Sequence, residues 1–483
     1  MKQIVTTALL LFLFQVIALA QCPNSGSARL ETQADVDEFV DLYPNCTELT
    51  RDLEIGFDGF SDPSADITDL SGLSNLTRIG QDFLVGHLDS LTYLEGLENI
   101  TYVGRDFEIR QNGNLIDLNN FSQLDTIGRK LDIYLNENLL NLDHFTNLNY
   151  VGDDFDISFN KNLRSVKSFN LLTDIPGYFV LQDSPLLDNA EGFSNIETVG
   201  SRFSLMETNL TDMTGFSSLK STAGEFGSVN IGNNLNLASL DGLENLETIS
   251  SSFVVEFSPL LTSIDGLANL KSINGIFRFR EIGIENVDAL SNLELGKNGF
   301  IFIGGNENLQ NIEGLNLGPS INGYLNVSNN PKLDNIYSLI EVDSIYGDLI
   351  IERNAILSSC SPICALLSQG FIEGSTRVGF NAEGCNNEAE IVVGDCTTST
   401  YELGNKNLKI YPNPTQDFIR VAIDDVPIEN MRFKVIDMYG KTLLSKILNN
   451  DWNSVINVSH LNQGLYYLIL ESDRIYVRQF SKL

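Results

Sequence analysis

A repeat of about 24 residues is the feature of this sequence that most constrains its fold. Twelve copies follow one another, and each reads approximately L-x-x-L-x-G-L-x-x-L-x-x-I-G-x-x-F-x-I-x-x-N. They begin at Ile67, Leu91, Leu115, Leu139, Leu163, Leu187, Leu210, Leu237, Leu261, Ile284, Leu309 and Leu333. A period of this length predicts a solenoid, in which each copy buries its apolar residues only by stacking on its neighbours.

Within each copy the apolar residues alternate over short stretches, such as Phe107-x-Ile109 and Leu131-x-Ile133. Alternation with a period of two is typical of β-strands, and no copy contains a ten-residue helical pattern. We therefore expect a mainly β fold, a parallel β-helix or leucine-rich-repeat-like solenoid of about twelve coils. Glycines recur at two corners of the copy, for example Gly96 and Gly104, where we expect the backbone to need a positive φ.

An asparagine recurs three residues after the last apolar position of the strand. The positions are Asn112, Asn136, Asn160, Asn234, Asn306, Asn330 and Asn354. Side-chain amides stacked at one corner can hydrogen-bond along the solenoid and pair with turn backbone that neighbouring coils leave open. We interpret this ladder as structural.

The first residues read as a targeting segment. Lys2 precedes an apolar run that ends in Ala18-Leu19-Ala20, which predicts a secretory signal peptide over residues 1–20. The alternatives are a retained membrane anchor, for which the run is short, and a lipid-modified Cys22, which Gln21 disfavours. We expect no membrane-spanning segment in the mature chain.

Export makes the cysteines informative, because disulfides persist in oxidising compartments. The six are Cys22, Cys46, Cys360, Cys364, Cys385 and Cys396. Cys22 and Cys46 form the natural first pair, whereas the last four allow three connectivities that the sequence does not separate.

The repeat pattern, preceded by QADVDEFVDLYPNC, resembles the receptor L domain, a leucine-rich right-handed β-helix also found in bacterial surface proteins. The resemblance implies an N-terminal cap over residues 21–66, a solenoid over 67–356 and a cysteine-rich C-terminal cap over 357–396. In that interpretation Thr32 and Asp35 form a capping box for a short helix. The C-terminal cap contains a second helix that begins near Pro362 and ends at Gly370.

After a polar linker over residues 397–407, a domain of different composition follows. From Asn405 to the end the chain has ten basic and eight acidic residues, whereas the whole chain has a net charge of −34. Short alternating runs such as FIRVAI and YYLIL predict an antiparallel β-sandwich.

Its motifs resemble the type A C-terminal sorting domain of the bacterial type IX secretion system, here over residues 408–483. The motif residues are Tyr411, Pro412, Asn413, Pro414, Gly440, Lys441, Gly464 and Tyr466. The resemblance implies recognition by the secretion machinery, passage through the periplasm, and a final location at the cell surface or in the medium.

Two outward-facing sets of residues are candidate sites. The first is a row of carboxylates, Glu108, Asp132 and Asp156, which would repel one another at strand spacing unless a cation such as Ca²⁺ lay between them. The alternative is a solvated acidic face. No other cofactor is expected.

The second set is Arg278 and Arg280, between Glu256 and Phe302. An arginine pair beside an aromatic ring could receive a carboxylated sugar or a protein loop. The alternative is that the arginines pair with Glu256 and Glu281 on the surface.

These features favour a non-enzymatic, exported adhesion or binding protein that recognises an extended glycan or protein through the solenoid surface. The strongly acidic chain disfavours nucleic acid as a partner, and three separated histidines disfavour a zinc site. The competing hypotheses are a calcium-dependent polysaccharide-degrading enzyme and a structural spacer without a ligand. Against the enzyme, no long insertion walls a cleft and no nucleophile motif occurs.

Overall fold

The computed structural model describes residues 21–57, 65–295, 299–393, 408–423, 431–437, 442–448, 454–471 and 475–483. The predicted signal peptide, the linker, Cys396, Gly440 and Lys441 lie outside these residues. The described residues divide into two compact units. The first comprises residues up to Leu210 with Thr214–Leu219, and the second comprises Thr211–Met213 with the residues from Lys220 onward.

The first unit is a stack of coils in which long strands pair in parallel, each with the long strand of the next coil. The long strands are Ala28–Leu30, Leu53–Gly56, Phe83–Gly86, Phe107–Arg110, Leu131–Tyr134, Phe155–Ser158, Phe179–Ser184 and Phe203–Thr208. Short parallel strands form a second side at Glu48–Leu49, Arg78–Ile79, Tyr102–Val103, Thr126–Ile127, Tyr150–Val151, Asp174–Ile175 and Thr198–Val199. Turns of 3-10 helix at Ser71–Leu73, Asn119–Phe121, Glu191–Phe193 and Thr214–Phe216 mark the third side.

The second unit repeats this arrangement. Its long strands are Val229–Gly232, Phe253–Ser258, Ile276–Ile282, Phe300–Gly304, Leu325–Ser328, Leu349–Glu352 and Thr376–Gly379. Its short strands are Ser221–Thr222, Thr248–Ile249, Ser272–Ile273, Glu294–Leu295, Ser320–Ile321, Ser344–Ile345 and Phe371–Ile372, and its 3-10 turns are Asp265–Leu267, Asp288–Leu290, Tyr337–Leu339 and Ser361–Ile363. The parallel β-solenoid predicted from the period is confirmed.

The interior of the coils is apolar because the alternating Phe and Ile positions all point inward. Phe155, Phe179 and Phe203 are at most 1% exposed, and their rings stack with centroids 5.3 and 5.2 Å apart. Such ring pairs add to the free energy gained by burying apolar area. The residues between these inward positions point to the outer face of the sheet. They are therefore the residues that a partner could contact.

The asparagine ladder is present as predicted. Asn136 donates from its amide nitrogen to the carbonyl of Ile109 (2.8 Å), and its amide oxygen accepts from the backbone and side chain of Asn112. Asn330 makes the same bonds to Ile303 and Asn306. Where Ser, Thr or Ile replaces the asparagine, the long strands extend to six or seven residues, as at Phe179–Ser184 and Ile276–Ile282.

The glycine prediction is correct at only two positions of the first corner and wrong at the second corner. Gly96 and Gly242 have φ of 107° and 108°, whereas the other recurrent glycines have no positive φ: Gly72, Gly192, Gly215, Gly266 and Gly314 at the first corner, and Gly80, Gly104, Gly128, Gly152 and Gly200 at the second. A Cβ on Gly104 would instead meet the carbonyl of Gly80 in the previous coil, so close stacking requires glycine there.

Positive φ occurs instead at a third corner, on residues that are mostly not glycine. They are His87, Gln111, Leu135, Phe159, Asp183, Glu207, Asn233, Phe257, Glu281, Asn329, Arg353 and Phe380, with φ between 51° and 59°. Each lies directly before the ladder position, where the long strand turns away from the sheet. The repeat carries no sequence signal for this conformation, because the residue type varies from coil to coil.

Helices and disulfides accompany the first coils of the first unit and the last coils of the second. In the first unit, helix Gln33–Leu42 begins at Thr32 with the predicted capping box to Asp35, and it buries Val36 and Phe39. In the second unit, helices Cys364–Gln369 and Glu388–Val393 follow the last repeats, and Gly370 ends the first of them.

Cys22 is bonded to Cys46 as predicted, and Cys360 is bonded to Cys385. Cys364 is also disulfide-bonded.

The C-terminal domain consists of two antiparallel sheets around a core of its own. One sheet contains Leu408–Tyr411, Phe418–Ile423 and Ser454–Asn457, and the other contains Met431–Asp437, Thr442–Leu448, Gly464–Glu471 and Ile475–Lys482. Phe433, Tyr466, Leu468 and Phe480 lie in that core. No helix among the described residues is long and apolar enough to span a bilayer.

Candidate functional site

The row of carboxylates lies on the outer face of the first unit, in neighbouring coils. Glu108 is opposite Asp132, and Asp132 is opposite Asp156, in the parallel register. Each has a protein partner: Glu108 pairs with Arg110, Asp132 accepts from Lys130 Nζ at 2.8 Å, and Asp156 accepts from Ser158. Among the described residues, no group of three or more His, Cys, Asp or Glu side chains is placed to hold a metal ion.

Lys130 lies at the centre of this charged region, which contains several shifted pKa values. Burial lowers the pKa of Lys130, but the hydrogen bond to Asp132 and the surrounding carboxylates outweigh burial and raise it overall. Burial raises the pKa of Asp156 against the hydrogen bond from Ser158, and burial also raises the pKa of Tyr178. The region is thus a polar network in which each of the three carboxylates has a protein partner, and calcium binding there stays a prediction.

Aspartates at the corner before several of the long strands have a structural role that the sequence analysis missed. The side chain of Asp82 accepts from the backbone N–H of Asp106, and that of Asp106 accepts from the N–H of Lys130. Asp154 does the same for Tyr178, at 3.0 Å. The spacing of 24 residues between these aspartates was the available signal, and it marks a second side-chain ladder.

The four residues of the second candidate site are brought together in the second unit. Glu256 is opposite Arg280, and Arg278 is opposite Phe302, on three neighbouring strands. The guanidinium of Arg278 lies 5.6 Å from the Phe302 ring centroid and 3.9 Å from a carboxylate oxygen of Glu256. Arg278 therefore makes a cation–π contact and only a long ion pair.

Arg280 has a similar but distinct environment. Its guanidinium lies 4.7 Å from the ring centroid of Phe257, and its Nε donates to Glu281 at 3.2 Å. The side chains of Arg280 and Glu281 are 44% and 48% exposed, so this pair is solvated and weak. The alternative considered from the sequence, in which the arginines pair with Glu256 and Glu281, is thus present. These pairs do not use all the N–H donors of either guanidinium.

Phe257 was missed in the sequence, whereas Glu281 was named there as an alternative surface partner of the arginines. Both residues have positive φ, next to the last residue of the strands Phe253–Ser258 and Ile276–Ile282, and both contact Arg280. We name the set Glu256, Arg278, Arg280 and Phe302, with Phe257 and Glu281, the arginine patch.

The described part of the sorting motif lies along the last strand of the C-terminal domain. Asn413 accepts from the backbone N–H of Ser481 at 2.9 Å, and Thr415 is bonded to Ser481 and Leu483. Tyr411 ends the strand Leu408–Tyr411, and Pro412 and Pro414 follow it. Gly464 begins the strand that carries Tyr466, whose hydroxyl donates to the carbonyl of Asn462.

Comparison with protein families identifies a secretion system C-terminal sorting domain over residues 409–481. No curated protein and no solved structure shows significant similarity to the chain. The sorting domain directs export by the type IX secretion system to the cell surface or the extracellular space, and it implies interaction with that machinery. The receptor L-domain resemblance of the repeats stays a prediction.

Proposed function

We propose that this exported chain is a non-enzymatic recognition or adhesion protein that binds an extended partner through the outer face of its solenoid. The observation that carries the proposal is the arginine patch. Its two guanidiniums are stacked on aromatic rings at a partly exposed surface, where their remaining donors can meet a carboxylated partner.

The form of the surface supports a binding role. Long strands with one outward row after another offer a broad sheet, which suits an extended partner better than a small enclosed substrate. An open cavity of about 610 Å³ lies elsewhere, between the strand Thr376–Gly379 and residues 386–389.

One set of experiments distinguishes the proposed binding function from the two competing hypotheses, a polysaccharide-degrading enzyme and a structural spacer. The full exported chain is incubated with uronate-rich polysaccharides, and the absorbance of unsaturated products is followed. It is also applied to glycan and surface-protein arrays, beside the double variant R278Q/R280Q. We expect no product, and array signals that the double variant loses. Product formation would support the enzyme, and a blank array would support the spacer.

A further inference from the structure

The arginine patch continues into an aromatic surface on the same strands. The outward positions of the strand Phe300–Gly304 are Phe300, Phe302 and Gly304, and those of the next strand begin with Tyr324, directly before Leu325. Phe300 is 38% exposed, and its ring centroid lies 5.2 Å from that of Tyr324. Phe300 and Phe302 are two residues apart on one face, about 7 Å along the strand. We call the arginine patch with Phe300 and Tyr324 the platform.

The rings of Phe302 and Phe300 occupy space that a Cβ would fill at two glycines. A Cβ on Gly304 would meet the ring of Phe302 at 2.8 Å and the carbonyl of Ser328 at 3.0 Å, and a Cβ on Gly323 would meet the ring of Phe300 at 2.7 Å and the carbonyl of Gly299 at 2.9 Å. Neither glycine has a positive φ. The missing side chains therefore leave room both for the rings and for the close approach of neighbouring coils.

The arginines beside these rings keep hydrogen-bonding capacity. Arg278 Nε is buried and has no hydrogen-bond partner among the described residues, and the side chain as a whole is 34% exposed. Stacking on a ring holds a guanidinium without using its N–H donors. A carboxylate that reached Arg278 would gain charge-assisted hydrogen bonds.

The net negative charge of the chain does not prevent a local contact of this kind. The chain has a net charge of −34, but charges more than about 8 Å apart are largely screened at physiological ionic strength. An anionic ligand on the platform therefore responds mainly to Arg278, Arg280 and the two glutamates beside them. Flat ring faces suit the C–H face of a pyranose, whereas a protein loop would gain more from a pocket.

We propose that the platform binds a uronate-containing polysaccharide, with pyranose faces on Phe300 and Phe302 and carboxylates on Arg278 and Arg280. This inference rests on the proposed binding function and names its ligand class. The binding requires no covalent step and no metal.

The test uses the full exported chain and isothermal titration calorimetry. The probes are oligogalacturonate, alginate fragments and hyaluronan fragments, with methyl-esterified oligogalacturonate and a malto-oligosaccharide as uncharged comparisons. The variants are R278Q/R280Q, F302A and G304A. Matched controls are R377Q, which alters another surface arginine of the same sheet, and Y150A, which removes an exposed ring of the first unit. Thermal unfolding verifies that every variant is folded.

We expect at least one acidic probe to bind, and its esterified or neutral counterpart to bind at least about tenfold more weakly. R278Q/R280Q should weaken binding by about tenfold or more, and F302A and G304A by about fivefold. R377Q and Y150A should leave the affinity unchanged.

Equal affinity for neutral and acidic probes, or unchanged affinity in R278Q/R280Q, would overturn the inference. If no acidic glycan binds but a surface protein on the array does, in a manner that depends on Arg278 and Arg280, the ligand class is wrong and the proposed function stands. If neither glycan nor protein binds, both are wrong.

Discussion

The outer faces of the two units have different chemistry at the same repeat positions. Directly before the inward-facing start of the strand, the first unit has Asp106 and Asp154, whereas two neighbouring coils of the second unit have Phe300 and Tyr324 before an aspartate returns at Asp348. The aspartates accept hydrogen bonds from the backbone of the next coil, whereas the two aromatic side chains contact each other. The inward pattern is the same in both units, so the fold leaves the outer rows free to serve either structure or recognition.

The first way to test this comparison is to disrupt what the units share. N136A and N330A each remove a fully buried amide that pairs with backbone of neighbouring coils. Because unpaired buried groups cost about 1–3 kcal/mol each, we expect each variant to lose about 3 kcal/mol of unfolding free energy in urea titrations. N138A, which removes an exposed ladder bond to Gly113, should lose less than about 1 kcal/mol. If either N136A or N330A unfolded at the same urea concentration as the wild type, the asparagine ladder would not stabilise the two units equally.

The second test compares one repeat position across the units. Asp106 is 5% exposed, pairs with Arg129 and accepts from the backbone of Lys130. D106A should therefore destabilise the first unit by about 2 kcal/mol in the same urea titrations. Y324A should cost about 1 kcal/mol or less, because it mainly removes one ring contact with Phe300. Equal losses of unfolding free energy in D106A and Y324A would contradict the structural role of this repeat position in the first unit.

The third and smallest effect is a pH dependence in the second unit. Burial first, and the charges of Asp288 and Asp334 second, together raise the pKa of Glu313 to about 7. The folded state therefore favours the protonated acid, so its contribution to stability is complete at low pH and is lost as the pH rises from about 4.5 to about 7. Tyr467 also lies near Glu313 and Glu341. Burial raises the pKa of Tyr467, and the charges of Glu313 and Glu341 raise it in the same direction.

E313Q mimics the protonated acid at every pH. We expect its melting temperature to match the wild type near pH 4.5 and to exceed it increasingly up to pH 7, by the equivalent of about 1 kcal/mol after allowance for solvent screening. E294Q, at an exposed glutamate of the same unit, is the control. A gain that is constant between pH 4.5 and 7.5 would contradict the assignment.

The sequence predicted the interior of this molecule better than its surface. The period gives the inward rows and the asparagine ladder, because one residue per coil is enough to define each row. The positive-φ corner was not predicted, since residues as different as Phe257 and Glu281 occupy it. The contacts of the Phe302 and Phe300 rings with Gly304 and Gly323 were also missed, because only the packed side chains define them.

The site was predicted to the same degree. Arg278, Arg280, Glu256 and Phe302 were correctly placed together from alternation alone, since their register follows from the 24-residue step. The pairing of Glu108 and Asp132 with Arg110 and Lys130 was not predicted, because it depends on how long side chains bend over the sheet.

The glycine beneath the Phe302 ring has an evolutionary consequence. Residue 304 needs no unusual backbone angle, but a Cβ there would meet both the Phe302 ring and the carbonyl of Ser328 on the next strand, so alanine would displace the ring and press on the neighbouring coil. Under the proposed binding function, a single nucleotide change at this codon would therefore alter the ligand surface and the stacking of two coils together.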